Sequence, residues 1–327
     1  RRAPAPVRML QSTEDIGIVV MTAKQHLGSR SVWVNKTWGK RFPNLFFASS
    51  RATSQQDLDG RLRLWPIKAP PDFLERFPAD SYQSHVYKGH LGLARLYKQQ
   101  PDLPWYCLSG DDVYLFEPWL LEALQDASSH PAEEAVCAGH VNTLPWKHAK
   151  ETFKWMSVKC AHTFGADFEG ANCVKHAYDI VRPFINVSVI YGAAIFCTNA
   201  AMARLAPYLP TALTKGYIHM WESQAAPIEG TEAVHVGDLF RDYLPVSDVL
   251  LALCMEEHGI RIYDFDDGGY WGGDFLPGSI LENIWDPFWK PAELVLAQRP
   301  ALWHKIVEAN QFQMLEYWYG LIRSLSD

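Results

Sequence analysis

The chain has 327 residues, of which 48% are hydrophobic and 20% charged, an ordinary balance for a folded globular protein that excludes wholesale disorder. It carries 30 lysines and arginines against 37 aspartates and glutamates, so its net charge is −7, which argues against a general nucleic-acid binder. An anionic small molecule held through a metal is not excluded by that charge, and the 13 tryptophans suit carbohydrate faces as well as cores.

Strand and helix patterns alternate along the first third of the chain. A continuous apolar run with β-branched residues is typical of a central parallel strand covered on both faces. The predicted elements are a strand at 15–22, a helix at 29–38, a strand at 44–48, a helix at 82–99 and a strand at 104–108. This order predicts an α/β fold with a mainly parallel open sheet flanked by helices, in which ligands bind at the carboxyl ends of the strands.

The remainder of the chain is less regular. Residues 130–182 contain lysines interleaved with Trp146 and Trp155, which is consistent with a substrate-facing loop or with an ordinary solvated one. The uncharged stretch between Arg182 and Arg204 includes polar residues and a glycine, so it predicts a strand followed by a helix rather than a membrane span. A last helix is predicted for 312–325.

Cysteine usage and glycosylation signals bear on the compartment. The six cysteines form no CxxC pair, which disfavours a zinc ribbon, and their number allows 15 disulfide connectivities. Sequons begin at Asn35 and Asn186 and mildly favour a secretory route. Residues 1–14 lack an initiator Met and an apolar signal region, and we interpret them as the remnant of a stem whose anchor is absent.

The strongest local signal is the pair Asp111-Asp112, which follows the apolar strand at 104–108 after Ser109 and Gly110. Two adjacent carboxylates repel each other, and a divalent cation that also holds a diphosphate would relieve that repulsion. A turn in which one aspartate caps the next helix is the alternative.

The surroundings of this pair resemble the aspartate motif of the fringe and core-1-type β1,3-glycosyltransferases, a family with the GT-A fold. In that family a strand ends in three aspartates followed by Thr-Tyr-Val. Further segments resemble the family in the same order along the chain, namely 37–41, 46–50, 87–105, 191–196, 245–249 and 303–305 with 314–315. The resemblance therefore implies one GT-A domain over 15–327, with a Rossmann-like nucleotide-sugar half at 15–116 and an acceptor half at 117–327.

The resemblance implies a metal, usually Mn²⁺, that bridges the protein to the phosphates of a UDP-sugar. Asp112 matches the last family aspartate and is the first predicted ligand, and Asp111 is a second ligand or a ribose contact. His304 matches the family's late metal-binding histidine, with a surface or core position as the alternative. Oxygen ligands with one imidazole suit Mn²⁺, although another divalent cation fits the same pattern.

Further roles follow from the same resemblance. Asp248 matches the catalytic base of an inverting transferase, and it is also a good N-cap for the apolar helix after it. Thr37, Arg41 and the Ser49–Asp57 loop are expected to surround the uridine. Lys88 is expected near the donor phosphate or sugar, with a solvated helix face as its alternative.

The expected activity is transfer of a hexose (galactose, glucose or N-acetylglucosamine) from a UDP-sugar to a glycan or glycoprotein, in the Golgi or ER lumen behind an N-terminal anchor, or secreted. Two departures support another interpretation, because Gly110 replaces the first family aspartate and Ser247 replaces the first residue of the acidic pair. A diverged protein that binds carbohydrate, or acts as a chaperone, without transferring sugar has the same pattern. A metal-dependent hydrolase is disfavoured, since the chain has no HExxH motif.

Overall fold

A computed structural model of the protein shows apolar strands that alternate with helices and form the core. It describes residues 9–50, 62–74, 79–80, 84–143, 188–190, 193–210, 247–274 and 299–326. Trp146, Trp155 and most of the predicted loop at 130–182 lie outside these ranges.

Twelve strands are present in the described residues. Their bounds are β1 Ile16–Met21, β2 Asn44–Ser49, β3 Leu64–Pro66, β4 Trp105–Gly110, β5 Tyr114–Leu115, β6 Val136–Gly139, β7 Val141–Thr143, β8 Ser188–Ile190, β9 Ala194–Thr198, β10 Arg261–Asp264, β11 Trp271–Asp274 and β12 Leu302–His304. Seven form one sheet in the order β10-β6-β9-β4-β1-β2-β3. Only β9 runs against its neighbours, so six carboxyl ends share one edge of the sheet.

The helices are α1 Val32–Lys36, α2 Pro71–Leu74, α3 His85–Gln99, α4 Glu117–Ala127, α5 Asn199–Leu205, α6 Ser247–Glu257 and α7 Ala309–Ser326. The predicted α/β class and mainly parallel sheet are confirmed by this arrangement. The strand and helix predicted between Arg182 and Arg204 are confirmed by β9 and α5, and the short strand β8 precedes them. In the described part of the chain, no helix has the length and apolarity that crossing a membrane requires.

Strand β1 lies inside the sheet and is buried along its whole length. Alternate residues of a strand point to opposite faces. Ile18 and Val20 pack with Trp38 and Phe312 in one core cluster, whereas Val19 packs in a second cluster on the other face. Both faces are therefore covered, which is what the continuous apolar run predicts.

The helix predicted at 29–38 is wrong in its extent. The chain forms a π-helical turn at Leu27–Ser31, the short helix α1, and a 3-10 turn at Trp38–Arg41. The break falls at Thr37, whose hydroxyl donates a 2.6 Å hydrogen bond to the Trp33 carbonyl. Trp38 Nε1 donates to the Val113 carbonyl at 2.7 Å, so a contact distant in sequence holds the indole in the core and ends the helix.

A disulfide joins Cys137 of β6 to Cys197 of β9, which are directly paired across the antiparallel ladder. Cys107 and Cys254 are buried free thiols. Cys160 and Cys173 lie outside the described residues. Because Cys107 and Cys254 are free, the chain forms none of the 15 connectivities in which all six cysteines are paired.

Glycine permits helix α3 to lie close against β1. A Cβ added at Gly92 would lie 2.8 Å from Val19 Cγ1, closer than packed carbon atoms approach. Gly320 of α7 is exposed, and a Cβ there would meet nothing within 4 Å. The two positions are a matched pair in which the same substitution has opposite packing consequences.

We expect Gly92→Ala to lower the free energy of unfolding by about 1–2 kcal/mol, because overpacking costs about 1–3 kcal/mol and exceeds the gain of about 1 kcal/mol in helix propensity. Gly320→Ala is expected to raise it by about 0.5–1 kcal/mol. Urea denaturation of both variants measures the difference. Equal stabilisation by both would contradict the close approach of α3 to β1.

Candidate functional site

Three parallel strands deliver polar residues to one point on the carboxyl edge of the sheet. Met21, the last residue of β1, pairs with Gly110 of β4 on one side and with Ala48 of β2 on the other. The residues that follow are Thr22, Asp111 and Ser49, and all three are buried. Strand register therefore brings together groups that are separated by 27 to 89 positions in the chain.

Asp111 is held by side chains from the first strand and the turn after it. The Thr22 hydroxyl donates to Asp111 Oδ2 at 2.7 Å, and its oxygen lies 2.8 Å from the Ser31 hydroxyl. Arg30 approaches Asp111 Oδ1 at 3.7 Å. Burial raises the pKa of Asp111 to about 6, and the neighbouring Asp112 charge adds to the rise against the Thr22 hydrogen bond and Arg30. The carboxylate is thus oriented but poorly compensated.

Asp112 is more exposed and faces His304. Its Oδ2 lies 3.7 Å from His304 Nε2, with 27% of the Asp112 side chain and 12% of the His304 side chain exposed. The pairing of β12 with β5 places His304 there, since Trp303 lies opposite Tyr114. The Ile306 amide also donates to the Asp112 carbonyl at 2.8 Å. Two of the predicted metal ligands therefore lie together, and their metal role stays a prediction.

Gly110 leaves room for the Asp112 carboxylate. A Cβ at Gly110 would lie 2.5 Å from Asp112 Oδ1, so any side chain there would displace that carboxylate. Glycine at position 110 therefore suits the position that the Asp112 carboxylate adopts.

Lys88 is completely buried at the start of α3. Its Nζ donates to the Thr22 carbonyl at 3.0 Å and to Asp80 Oδ1 at 2.9 Å, and Ser50 Oγ also donates to Asp80. Burial lowers the pKa of Lys88, whereas the hydrogen bonds and charge of Asp80 oppose the shift. The alternative that Lys88 lies on a solvated helix face is wrong. Its ammonium connects the Thr22 carbonyl, just after β1, to Asp80, which also accepts a hydrogen bond from Ser50 just after β2.

Two histidines that the sequence analysis did not select belong to the same region. Burial lowers the pKa of His85 to about 4, Lys88 adds to the shift, and the Asp112 charge opposes it. Burial also lowers the pKa of His26, Arg30 adds to that shift, and Asp112 again opposes it. Both imidazoles are therefore neutral at pH 7. His26 follows β1 by five residues, and His85 is the first residue of α3. Their closeness to the ends of these elements is the sequence signal that could have identified them as site residues.

The next group is the set of residues predicted to surround the uridine. Arg41 pairs with Glu316 of α7 and stacks over the Tyr319 ring at 3.6 Å, and Thr37 bonds the Trp33 carbonyl, so both have structural partners. Ser49 is buried at the end of β2. Asp57 lies outside the described residues. The nucleotide roles of these residues stay predictions.

Asp248 lies in the first turn of α6 and is 8% exposed. Leu250 of α6 packs on Val86 of α3, so the beginnings of these two helices meet. Asp248 therefore lies in the first turn of a helix whose beginning packs against the beginning of α3. Its role as base stays a prediction.

A second set of ligand groups lies elsewhere on the same sheet edge. Among the described residues, one group of three or more His, Cys, Asp or Glu side chains has its ligand atoms all within 4.8 Å of one another, namely His140, Asp264 and Asp266. Asp111, Asp112 and His304 do not form such a group. Burial raises the pKa of Asp266, and Asp264 adds to the rise while His140 opposes it.

No family model and no curated protein matches the chain. Among solved structures, it is similar to the galactosyltransferase LgtC in complex with donor and acceptor sugar analogs, at a TM-score of 0.38 and 11% identity over 92% of this chain and 95% of the other. It is also similar to mouse xyloside xylosyltransferase 1 in its apo form, at a TM-score of 0.38 and 10% identity over 88% and 97% of the two chains. At these TM-scores neither likeness carries an argument about this chain, and membership of the fringe-type family stays a prediction.

We expect Asp111→Asn to stabilise the metal-free protein at pH 7.5 by about 1–3 kcal/mol, because a shift of one pKa unit corresponds to about 1.4 kcal/mol. The pKa rises from 3.8 to about 6 on folding, so between these values the folded protein binds more protons and the free energy of unfolding falls as pH increases.

Denaturation from pH 4 to 8 in chelator measures this effect. The difference between the Asn variant and wild type should vanish near pH 4 and be complete above pH 6. Exposed Asp102, which precedes the opposite end of β4, provides the control as Asp102→Asn. A constant difference across the pH range would contradict the raised pKa of Asp111.

Proposed function

We propose that the protein is a GT-A glycosyltransferase that moves a hexose from a UDP-sugar to a glycan or glycoprotein hydroxyl with inversion, forming a β1,3 linkage. The observation that carries the proposal is the Asp112–His304 pair beside buried Asp111, at the carboxyl end of a central parallel strand. In open α/β sheets this edge is where ligands bind.

The donor set fits a divalent cation. Asp112 supplies a partly exposed carboxylate and His304 an imidazole 3.7 Å from it, and these ligand types suit Mn²⁺. Two protein ligands leave positions for phosphate oxygens and water. When bound, the metal supplies charge neutralisation for the departing UDP.

The protein's own residues perform the other tasks in this proposal. Thr22 and Arg30 hold Asp111 beside the metal ligands, where it binds the cation directly or accepts from the ribose. Lys88 sets the end of β1 through the Thr22 carbonyl, and Asp248 accepts the proton of the acceptor hydroxyl. The Cys137–Cys197 disulfide is consistent with the proposed location in the Golgi or ER lumen, or outside the cell.

A binding protein without transferase activity is the second candidate. It is favoured by one specific observation, since Asp111, Asp112 and His304 do not bring three ligand atoms within 4.8 Å of one another. The two candidates differ in whether UDP binding requires a metal and in whether sugar is transferred.

We expect Asp112→Ala to abolish the part of UDP binding that depends on Mn²⁺, because it removes the exposed carboxylate of the pair. Isothermal titration of UDP with Mn²⁺ and with EDTA measures that part. Asp102→Ala removes an exposed aspartate near the other end of β4 and should leave it unchanged. Equal UDP affinity of the wild type with Mn²⁺ and with EDTA would contradict the metal site.

We expect Asp248→Asn to leave UDP and Mn²⁺ binding nearly unchanged and to lower transfer by about 10²-fold or more, the usual effect of removing a general base. The amide keeps the shape and loses the proton acceptor. Donor turnover is measured with a panel of simple glycoside acceptors. If transfer by this variant stays within a few-fold of wild type, Asp248 is a helix cap and the base lies elsewhere.

A further inference from the structure

The parallel pairing of β6 with β10 brings a histidine and two aspartates together at the sheet edge. Gly139, the last residue of β6, lies opposite Asp264, the last residue of β10. The Phe265 amide donates to the Gly139 carbonyl at 2.9 Å, which extends the ladder by one bond. His140 directly follows β6, and Asp266 follows β10 by two residues.

The backbone orients Asp264. Its Oδ1 accepts hydrogen bonds from the Val141 amide and the Asp266 amide, both at 3.0 Å. These two hydrogen bonds orient the carboxylate, and neither of them uses Oδ2. Backbone donors that fix a ligating carboxylate are characteristic of the outer shell of metal sites.

A turn closed by glycine returns the chain beside Asp266. The Gly269 amide donates to the Asp266 carbonyl at 3.1 Å, and Gly269 has φ +73°, a left-handed conformation that favours glycine. The Tyr270 amide then donates to the Phe265 carbonyl at 2.8 Å, so the turn is closed by two backbone bonds.

The spacing of the side chains suits a small ion. His140 Nδ1 lies 3.2 Å from Asp266 Oδ2, and one ligand atom from each of the three residues lies within 4.8 Å of the others. Ligands about 2.0–2.2 Å from a tetrahedral Zn²⁺ lie roughly 3.3 Å from one another. The His140–Asp266 pair already has this spacing, and the Asp264 carboxylate has to close by at most about 1.5 Å to join it. The imidazole distinguishes the group from a cluster of surface carboxylates.

We propose that His140, Asp264 and Asp266 form a second divalent-cation site, which binds Zn²⁺ and is separate from the Asp112–His304 pair. One imidazole and two carboxylates suit Zn²⁺ and Mn²⁺, and Zn²⁺ binds such ligands more tightly than Mn²⁺. Strand β9 lies between β6 and β4, and adjacent strands are about 4.8 Å apart, so β6 is roughly 10 Å from β4. The site goes beyond the proposed transferase activity and does not rest on it.

The test uses the full chain with Asp112→Ala, which removes the exposed carboxylate of the other pair. Zn²⁺ is titrated by calorimetry after chelator treatment, and the same titration is made with Asp266→Asn or His140→Ala added. Asp267→Asn is the matched control, because Asp267 is the next residue in the same turn and is not one of the three ligand residues.

We expect Asp266→Asn and His140→Ala each to weaken Zn²⁺ binding at one site by at least about tenfold. Asp267→Asn removes a neighbouring charge but no ligand, so it should weaken binding much less. Half of the Asp266 side chain is exposed, so its asparagine variant should fold, and the melting temperature without zinc checks this. Identical titrations for Asp266→Asn and Asp267→Asn, or no zinc binding in the Asp112→Ala protein, would overturn the site and leave an ordinary His140–Asp266 ion pair. Metal-independent UDP binding by wild type would instead contradict the proposed function alone.

Discussion

The geometry of the candidate site depends on the register of β1 between its two parallel neighbours. Met21 lies opposite Gly110 and Ala48, so the next residues on the three strands meet at one point. A slip of one residue would turn every β1 side chain to the opposite face. The two faces of β1 pack in different clusters and carry side chains of different size. A slip would put Gly17 and Val19 into the space that the larger Ile16 and Ile18 now fill, which would leave cavities. Core packing thereby determines that Thr22 reaches Asp111.

This arrangement places a carboxylate where the protein alone compensates it poorly. Asp111 accepts one hydroxyl hydrogen bond and has a guanidinium only at 3.7 Å, while a second carboxylate follows it directly in the chain. A fold selected for stability alone would place a neutral group at such a position. Keeping the carboxylate is intelligible if a bound cation removes the repulsion, which is the type of conflict between stability and activity that functional sites show.

Sequence reasoning succeeded where a pattern depends on one element alone. The apolar runs located β1, β2 and β4, because strands covered on both faces have a direct signature, and the last predicted helix lies within α7. It failed where a distant contact decides the local structure, as at Trp38, whose indole bonds the Val113 carbonyl and ends the helix. His140 shows the same limit, since its aspartate partners come from a strand more than 120 residues later and only the register of β6 with β10 brings them together.

In the described part of the sheet edge, the reversed strand β9 separates two groups of candidate ligand residues. Parallel strands bring their carboxyl ends to this edge, but β9 brings its amino end, where the Ala193 carbonyl accepts the Gly110 amide at 3.1 Å. Ala193 and Ala194 have methyl side chains, so they add no ligand between the two groups. The Cys137–Cys197 disulfide holds β9 beside β6. Strands β6 and β4 therefore stay two strand spacings apart, at about 4.8 Å each, and so do the two groups that follow them. A cation at one group therefore cannot share ligands with the other, and each must complete its coordination from its own loop residues, water or a bound molecule.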